Sequence, residues 1–252
     1  MRYARRGRLR FSSHRDFQRA LERAIRRAGV PIAYSAGFSP HPKISYANSA
    51  PTGAASEAEY VEIGLTREQD PASVMHELDA ALPPGLDIVD AVVARTPDFA
   101  QRLEASEWLI EFPDVSAQDL QPLRDAFWAT DAVEVQRMTK SGLRTFDARG
   151  PVVRMEVEDQ HSDQHGGEHG GEHGGEHAEE HGEDPATGRY AILHVVVRHV
   201  TMSVRPDDVL AALRRVADFE PPVPPRVTRL AQGPLDPATC TVGDPFAPDR
   251  GD

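Results

Sequence analysis

The chain is poor in the groups that mark several functional classes. It has one cysteine, Cys240, among 252 residues. A lone thiol excludes an intrachain disulfide framework and fits a reducing compartment. It also excludes an iron–sulfur cluster held by several thiolates of this chain. No apolar run approaches the ~20 residues of a membrane span. The N-terminus is basic, but no apolar stretch follows it as in a secretory signal. The composition, 39% apolar and 27% charged, is that of a globular protein. The expectation is a soluble, cytoplasmic protein with no membrane contact.

Charge of one sign is missing locally. Residues 158–184 contain ten acidic residues and no Lys or Arg, whereas residues 1–50 hold ten arginines and one lysine against Asp16 and Glu22. The net charge of −12 therefore hides a basic head on an acidic body. Local potential, not net charge, decides which polyanion can approach.

Periodicity gives the elements. Arg8 and Arg10 alternate with Leu9 and Phe11, which predicts a half-buried strand over 8–11. Ser13 and Asp16 make a capping-box start. Phe17, Ala20, Leu21, Ala24, Ile25 and Ala28 then recur at helical spacing until Gly29 and Pro31. Strands are expected at Ile44–Ala47, Tyr60–Leu65 and Leu86–Val93, with a helix over Pro71–Ala81. The order β-α-β-β-α-β is the split-βαβ or ferredoxin-like pattern. It recurs in strands at Trp108–Phe112, Val133–Met138, Val152–Val157, Ala191–His199 and Arg226–Leu230, with helices at Leu120–Trp128 and Asp207–Val216. An extra strand near Arg144–Phe146 blurs that count. The fold class expected is α+β, as two tandem ferredoxin-like domains over 1–100 and 101–235, followed by an irregular tail over 236–252. Within the second, residues 158–187 are expected to be a disordered His/Gly/Glu-rich insert. Its histidines recur every four residues, but a Gly pair per repeat costs a helix roughly 1.6–2 kcal/mol against Ala.

Three stretches carry chemistry. The first helix places Arg15, Arg19, Arg23, Arg26 and Arg27 opposite its apolar face. With Arg8 and Arg10 beside them, these planar guanidinium forks suit phosphate oxygens. The second stretch is "YSAGFSPHPKISYA", residues 34–47. Pro40 and Pro42 bar a central strand and stiffen a loop carrying Phe38, His41 and Lys43. Rings next to cations on a stiff loop suit stacked bases and phosphates; the competing reading packs Phe38, Tyr34 and Tyr46 into the core. The third is the insert, where His165, His169, His173 and His177 are weak candidates for binding Zn²⁺ or Ni²⁺. His14 and His41 would be the acid–base pair of an enzyme reading, cleavage of RNA by its own 2′-hydroxyl. "TKSGLRTFDARG", with Lys140, Arg144, Asp147 and Arg149, either extends the basic surface or turns a hairpin.

Several of these segments resemble the radical SAM-associated (radical SAM-linked) proteins, a family of uncharacterised function. The similar text is "GRLRFSSHRDFQRALERAIRRAGVPIAYSAGFSPHPKISYA", "PTGAASEAEYVEIGL", "LPPGLDIVDA", "AVEVQRMTKSGLRTFDARG" and "VTRLAQGPL". The resemblance implies a stand-alone accessory protein in RNA metabolism or modification, partnered by a cobalamin-binding radical SAM protein, and supplies no catalytic residue. This chain cannot itself hold the partner's iron–sulfur cluster, and no cofactor is expected. The function expected is therefore non-catalytic RNA binding. Alternatives are a metal-independent ribonuclease resembling the CRISPR repeat-processing endonucleases, or a protein–protein adaptor.

Overall fold

The computed structural model describes residues 1–160 and 190–250. Of the first half, β1 is Arg2–Arg5, α1 His14–Ala28, β2 Ile44–Ala47, β3 Ala55–Ile63, α2 Pro71–Ala81 and β4 Leu86–Asp90. The second half has β5 at Ala105–Pro113, α3 at Ala117–Trp128, β6 at Glu134–Thr139 and β7 at Gly142–Asp147. It continues with β8 at Val152–Gln160, β9 at Tyr190–Arg198, α4 at Pro206–Ala217 and β10 at Arg226–Gly233. The protein is thus a mixed α+β structure with four helices among the described residues.

Both halves follow one path. The first pairs its strands in the order β4-β1-β3, with β2 on the remaining side of β3, and the second in the order β10-β5-β9-β8. In each, the first strand lies antiparallel to the third and fourth. Hairpin β6–β7 stands apart as a two-stranded sheet. The halves are not separate sheets: β3 pairs in parallel with β10, Ala55 with Thr228 and Ser56 with Arg229, giving one eight-stranded sheet. α1 and α2 bury Phe17, Leu21, Ile25, Val74 and Leu78 against Tyr3, Val61 and Ile88. α3 and α4 bury Leu120, Phe127, Val209 and Leu213 against Ile110, Phe112, Leu193 and Val195.

Helix α1 forms as its sequence dictates. Ser13 accepts from Asp16 N at 3.3 Å, and Ser13 N donates to Asp16 Oδ2 at 3.1 Å. Gly29 closes the helix in the left-handed region at φ 69°. The strand expected over 8–11 does not exist. β1 ends at Arg5, because its neighbours β3 and β4 begin opposite it, at Ser56 and Leu86. Beyond that point no strand is available to pair with the alternating residues. Gly7 turns the chain at φ 52°, and Gly7–Phe11 coils into a 3₁₀ turn. The tail expected to be irregular is partly ordered. Leu235 and Asp236 pair with Val242 and Thr241, and Phe246 is buried against Tyr60 and Phe99. Asp249 accepts hydrogen bonds from Arg95 N and Thr96 N and pairs with Arg102, fastening the tail to the segment between the halves.

The seam between the halves is polar. Arg229 of β10 pairs with Glu59 of β3, both almost fully buried. Arg229 also donates to Asn48 O at 2.8 Å and Ser56 Oγ at 3.3 Å. Glu59 accepts from Ala50 N at 3.2 Å, and Arg5 donates to the carbonyls of Ala50, Pro51 and Ala54 at 2.9–3.1 Å. Removing one partner strands a buried charge. Glu59→Ala is therefore expected to lower unfolding free energy by about 3–5 kcal/mol, seen as a lower urea midpoint. Asp125→Ala, which removes only an exposed carboxylate from the half-buried Arg124, is expected to change it by less than about 1 kcal/mol.

Candidate functional site

The basic residues separate into two populations. Arg5, counted from sequence among the basic surface, lies inside the seam at 4% exposure. Arg6 is exposed but neutralised, pairing with Glu57 at 2.5 Å and Asp87 at 2.9 Å. Carboxylates likewise pair with Arg2, Arg102, Arg137, Arg154, Arg214 and Arg250. Arg8, Arg15, Arg19, Arg23 and Arg26 are exposed, and Arg10 is half-buried. None of these six has a carboxylate within salt-bridge distance among the described residues. The acids nearest in sequence are engaged. Asp16 caps the helix, its pKa lowered by the Ser13 hydrogen bonds with a small contribution from Arg19, and Glu22 accepts from Gln18. Arg27 donates instead to Ala81 O at 3.3 Å.

The proline-framed segment is a small hairpin. Tyr34 bridges to Pro42, Lys43 N donates to Ala33 O, and Ser35 N donates to His41 O, each bond at 2.8 Å. Its root joins the end of β3: Ala33 N donates to Gly64 O, and Gly64 N to Lys43 O. Gly37, at φ 123°, permits a tip that a Cβ would strain. Phe38 sits on that tip at 111% exposure, so it does not fill the core, and Tyr34 is half-exposed at 51%. His41 and Lys43 are exposed beside them. Tyr46, by contrast, packs inward against Phe17.

Arg15, Arg19 and Arg23 share one face of α1, and Arg8 and Arg10 lie on the turn leading into it. His14 and His41 are not brought together. His14 occupies the first turn of α1, edge-on to Tyr46 and 3.3 Å from Ser49 Oγ. His41 lies on the proline-framed hairpin, and no hydrogen bond or ring contact joins it to His14 among the described residues. Arg149 lies over the Trp128 ring at 3.9 Å, and Asp147 accepts from Val133 N and Gly150 N, so both belong to the base of hairpin β6–β7. Asp208 serves the start of α4, as its place in sequence suggests, accepting from Arg205 N at 2.7 Å. The insert and its candidate ligands His165, His169, His173 and His177 lie outside the described residues. Among the described residues no His/Cys/Asp/Glu cluster could hold a metal ion, and no helix is long and apolar enough to cross a membrane.

Sequence reasoning missed two features. Phe11, expected to face the core, is 60% exposed, with the Arg10 guanidinium 4.8 Å from its ring centre. A cleft of about 670 Å³ opens beside β2 and β3, lined by Tyr46, Tyr60, Val61, Phe99 and Phe246; none of the singled-out arginines borders it.

A family model described as an uncharacterized protein conserved in bacteria (DUF2344) matches residues 1–206. The chain belongs to this family. No curated protein matches it. The family match covers the arginine row, the hairpin and Glu59, and ends at the first residue of α4. Arg229, the other half of the seam pair, lies beyond it. No local signal in the sequence could have joined residues 170 positions apart; the nearest clue is the run of polar residues inside β3.

One group near the seam titrates usefully. His199 is tied by Nδ1 to Leu103 O at 2.6 Å and by Nε2 to Ser106 Oγ at 2.8 Å, so Nδ1 donates and Nε2 accepts. Burial lowers its pKa from 6.5; the Leu103 carbonyl opposes this and Arg229 adds to it. The unfolded chain therefore binds this proton more readily, and stability falls as pH drops through about 6.5 toward the folded value. His199→Gln is expected to flatten that loss between about pH 7 and 5.5, measured as the wild-type-minus-variant difference in urea midpoint.

Proposed function

We propose that the protein is a non-catalytic accessory factor that binds RNA through the arginine row of α1. The observation that carries this reading is the arginine row itself. Arg8, Arg15, Arg19, Arg23 and Arg26 are gathered, exposed, on α1 and the turn before it, and none has a carboxylate within salt-bridge distance among the described residues. Like charges at i,i+4 destabilise a helix by a few tenths of a kcal/mol each, and Arg15, Arg19 and Arg23 form such a series. A polyanion would relieve that repulsion, and phosphate oxygens fit the guanidinium fork. Phe38, His41 and Lys43 supply a ring, an imidazole and a cation on a stiff support. We further read the two halves as ferredoxin-like units, since each follows the β-α-β-β-α-β path.

The resemblance to radical SAM-associated proteins supports a radical SAM enzyme as partner. Hairpin β6–β7 favours a protein contact: Met138 and Leu143 pair across it at 72% and 56% exposure. That no hydrogen bond or ring contact joins His14 and His41 among the described residues weighs against the ribonuclease alternative.

RNA binding is expected to weaken steeply with salt, measured by fluorescence anisotropy with a labelled single strand. Replacing Arg15, Arg19 and Arg23 together with Gln is expected to reduce the log K–log salt slope by about 2, at roughly 0.7 per phosphate contact. A salt-insensitive association, or none, would sink the RNA reading. Co-purification with a cobalamin-binding radical SAM protein that survives nuclease and is lost on Met138→Glu would instead favour the adaptor. RNA cleavage abolished by His14→Ala with binding retained would restore the enzyme.

A further inference from the structure

We propose that α1 and the exposed rings at its two ends form one site for single-stranded RNA, with a base stacked on Phe11 and another on Phe38. This rests on the RNA reading above and adds two things to it, the strandedness of the ligand and the length of the site.

Three observations place the rings at opposite ends of the arginine row. Phe11 immediately precedes Ser12 and the N-cap Ser13, so it stands at the start of α1. Phe38 is on the hairpin that leaves the chain after Gly29 and Pro31, beyond the helix C-terminus. The same separation holds along β3. Arg10 O accepts from Gly53 N just before that strand begins, whereas the hairpin root bonds to Gly64 just after it ends. Between the rings, Arg15, Arg19, Arg23 and Arg26 recur every three or four residues on the outer side of α1.

Neither ring has a packing role that explains it. Phe38 is wholly exposed and Phe11 is 60% exposed, so the apolar area that would stabilise a core is left in water. Arg10 covers part of Phe11, an arrangement that presents a ring and a guanidinium plane together, and both stack on bases. A duplex cannot use these rings, because its bases are already stacked on one another. A single strand has free base faces, and recognition of such strands rests on aromatic platforms beside a cationic track. The ligand that engages the whole surface is therefore a single strand.

The length follows from the helix. Its fifteen residues span about 22 Å, which is roughly six nucleotides at the ~3.4 Å per-strand rise of a stacked chain, and fewer if the chain is extended.

The test is anisotropy titration of the full chain with labelled RNA strands of increasing length and with an RNA duplex, the lengths compared at one salt concentration and the six-nucleotide strand and the duplex repeated over a salt series. Affinity is expected to rise to a length of about six nucleotides and then flatten, with the duplex bound more weakly. Phe11→Ala and Phe38→Ala are each expected to weaken binding of a six-nucleotide strand by roughly 5- to 150-fold. Duplex binding and the salt slope should be unchanged in both. Phe38→Trp should retain binding and show quenched indole fluorescence when RNA is added. A duplex bound as tightly as the single strand, or Phe variants without loss, would overturn this inference while leaving the arginine reading intact. Absence of RNA binding at low salt would overturn both.

Discussion

The Arg229–Glu59 ion pair is the contact through which the two halves are registered. β3 and β10 share only two aligned residue pairs, Ala55 with Thr228 and Ser56 with Arg229. So short a parallel join specifies its register weakly by backbone alone. The guanidinium of Arg229 adds directional bonds to Glu59, Ser56 and Asn48, none of which survives a slip of one residue. Taking two charges out of water costs several kcal/mol per ion, and the pair is tolerable only because further hydrogen bonds satisfy it. Arg5 completes that set from β1, holding the 50–54 loop by three carbonyls. Burial of charge here serves specificity of arrangement more than net stability.

That constraint reaches the basic surface through the loop it holds. Residues 48–54 link β2 to β3, and Gly53 N donates to Arg10 O at 2.8 Å. Ser49 lies against His14 at the first turn of α1. The start of the arginine row is therefore positioned by backbone and side chains that the seam immobilises. In the second half the equivalent connection, between β8 and β9, is the His-rich stretch. The same place in a repeated path carries a short pinned loop in one copy and a long acidic segment in the other, so the copies diverge where the path allows length to vary.

What was legible in the sequence divides by the range of the interaction. α1 was readable to its ends, because Ser13, Asp16, the apolar spacing and Gly29 are all local signals. β2 and α2 were readable to their first and last residues for the same reason. The start of β3 was not. Ser56, Glu57 and Glu59 read as solvent-facing, yet Ser56 and Glu59 are buried because their partner Arg229 arrives from the far end of the chain. Arg5 fails identically, a buried cation whose acceptors are carbonyls that no side-chain pattern reveals. The strand expected over 8–11 shows the converse error: alternation is necessary for a half-buried strand but not sufficient, since a strand also needs a neighbour of matching length.

The surface was legible in kind but not in membership. Counting charges over residues 1–50 treats every arginine as available, whereas the fold withdraws Arg5 into the seam and Arg6 into two ion pairs. What remains is more informative than the raw count. A chain with 40 acidic residues against 28 basic ones has no shortage of carboxylates, and Arg2, Arg6, Arg102, Arg137, Arg154, Arg214 and Arg250 pair with them. A helix whose Arg15, Arg19, Arg23 and Arg26 have no ion pair among the described residues therefore bears an electrostatic cost that those residues do not offset. The helix has no structural need for arginine at those positions, since Gln or Glu has comparable helix propensity and would have lowered the repulsion. The two most exposed phenylalanines lie at either end of the same helix, and they too gain nothing from folding. In the reading proposed above, charge and aromatic surface that are both costly to the isolated molecule, and adjacent, are satisfied by one ligand.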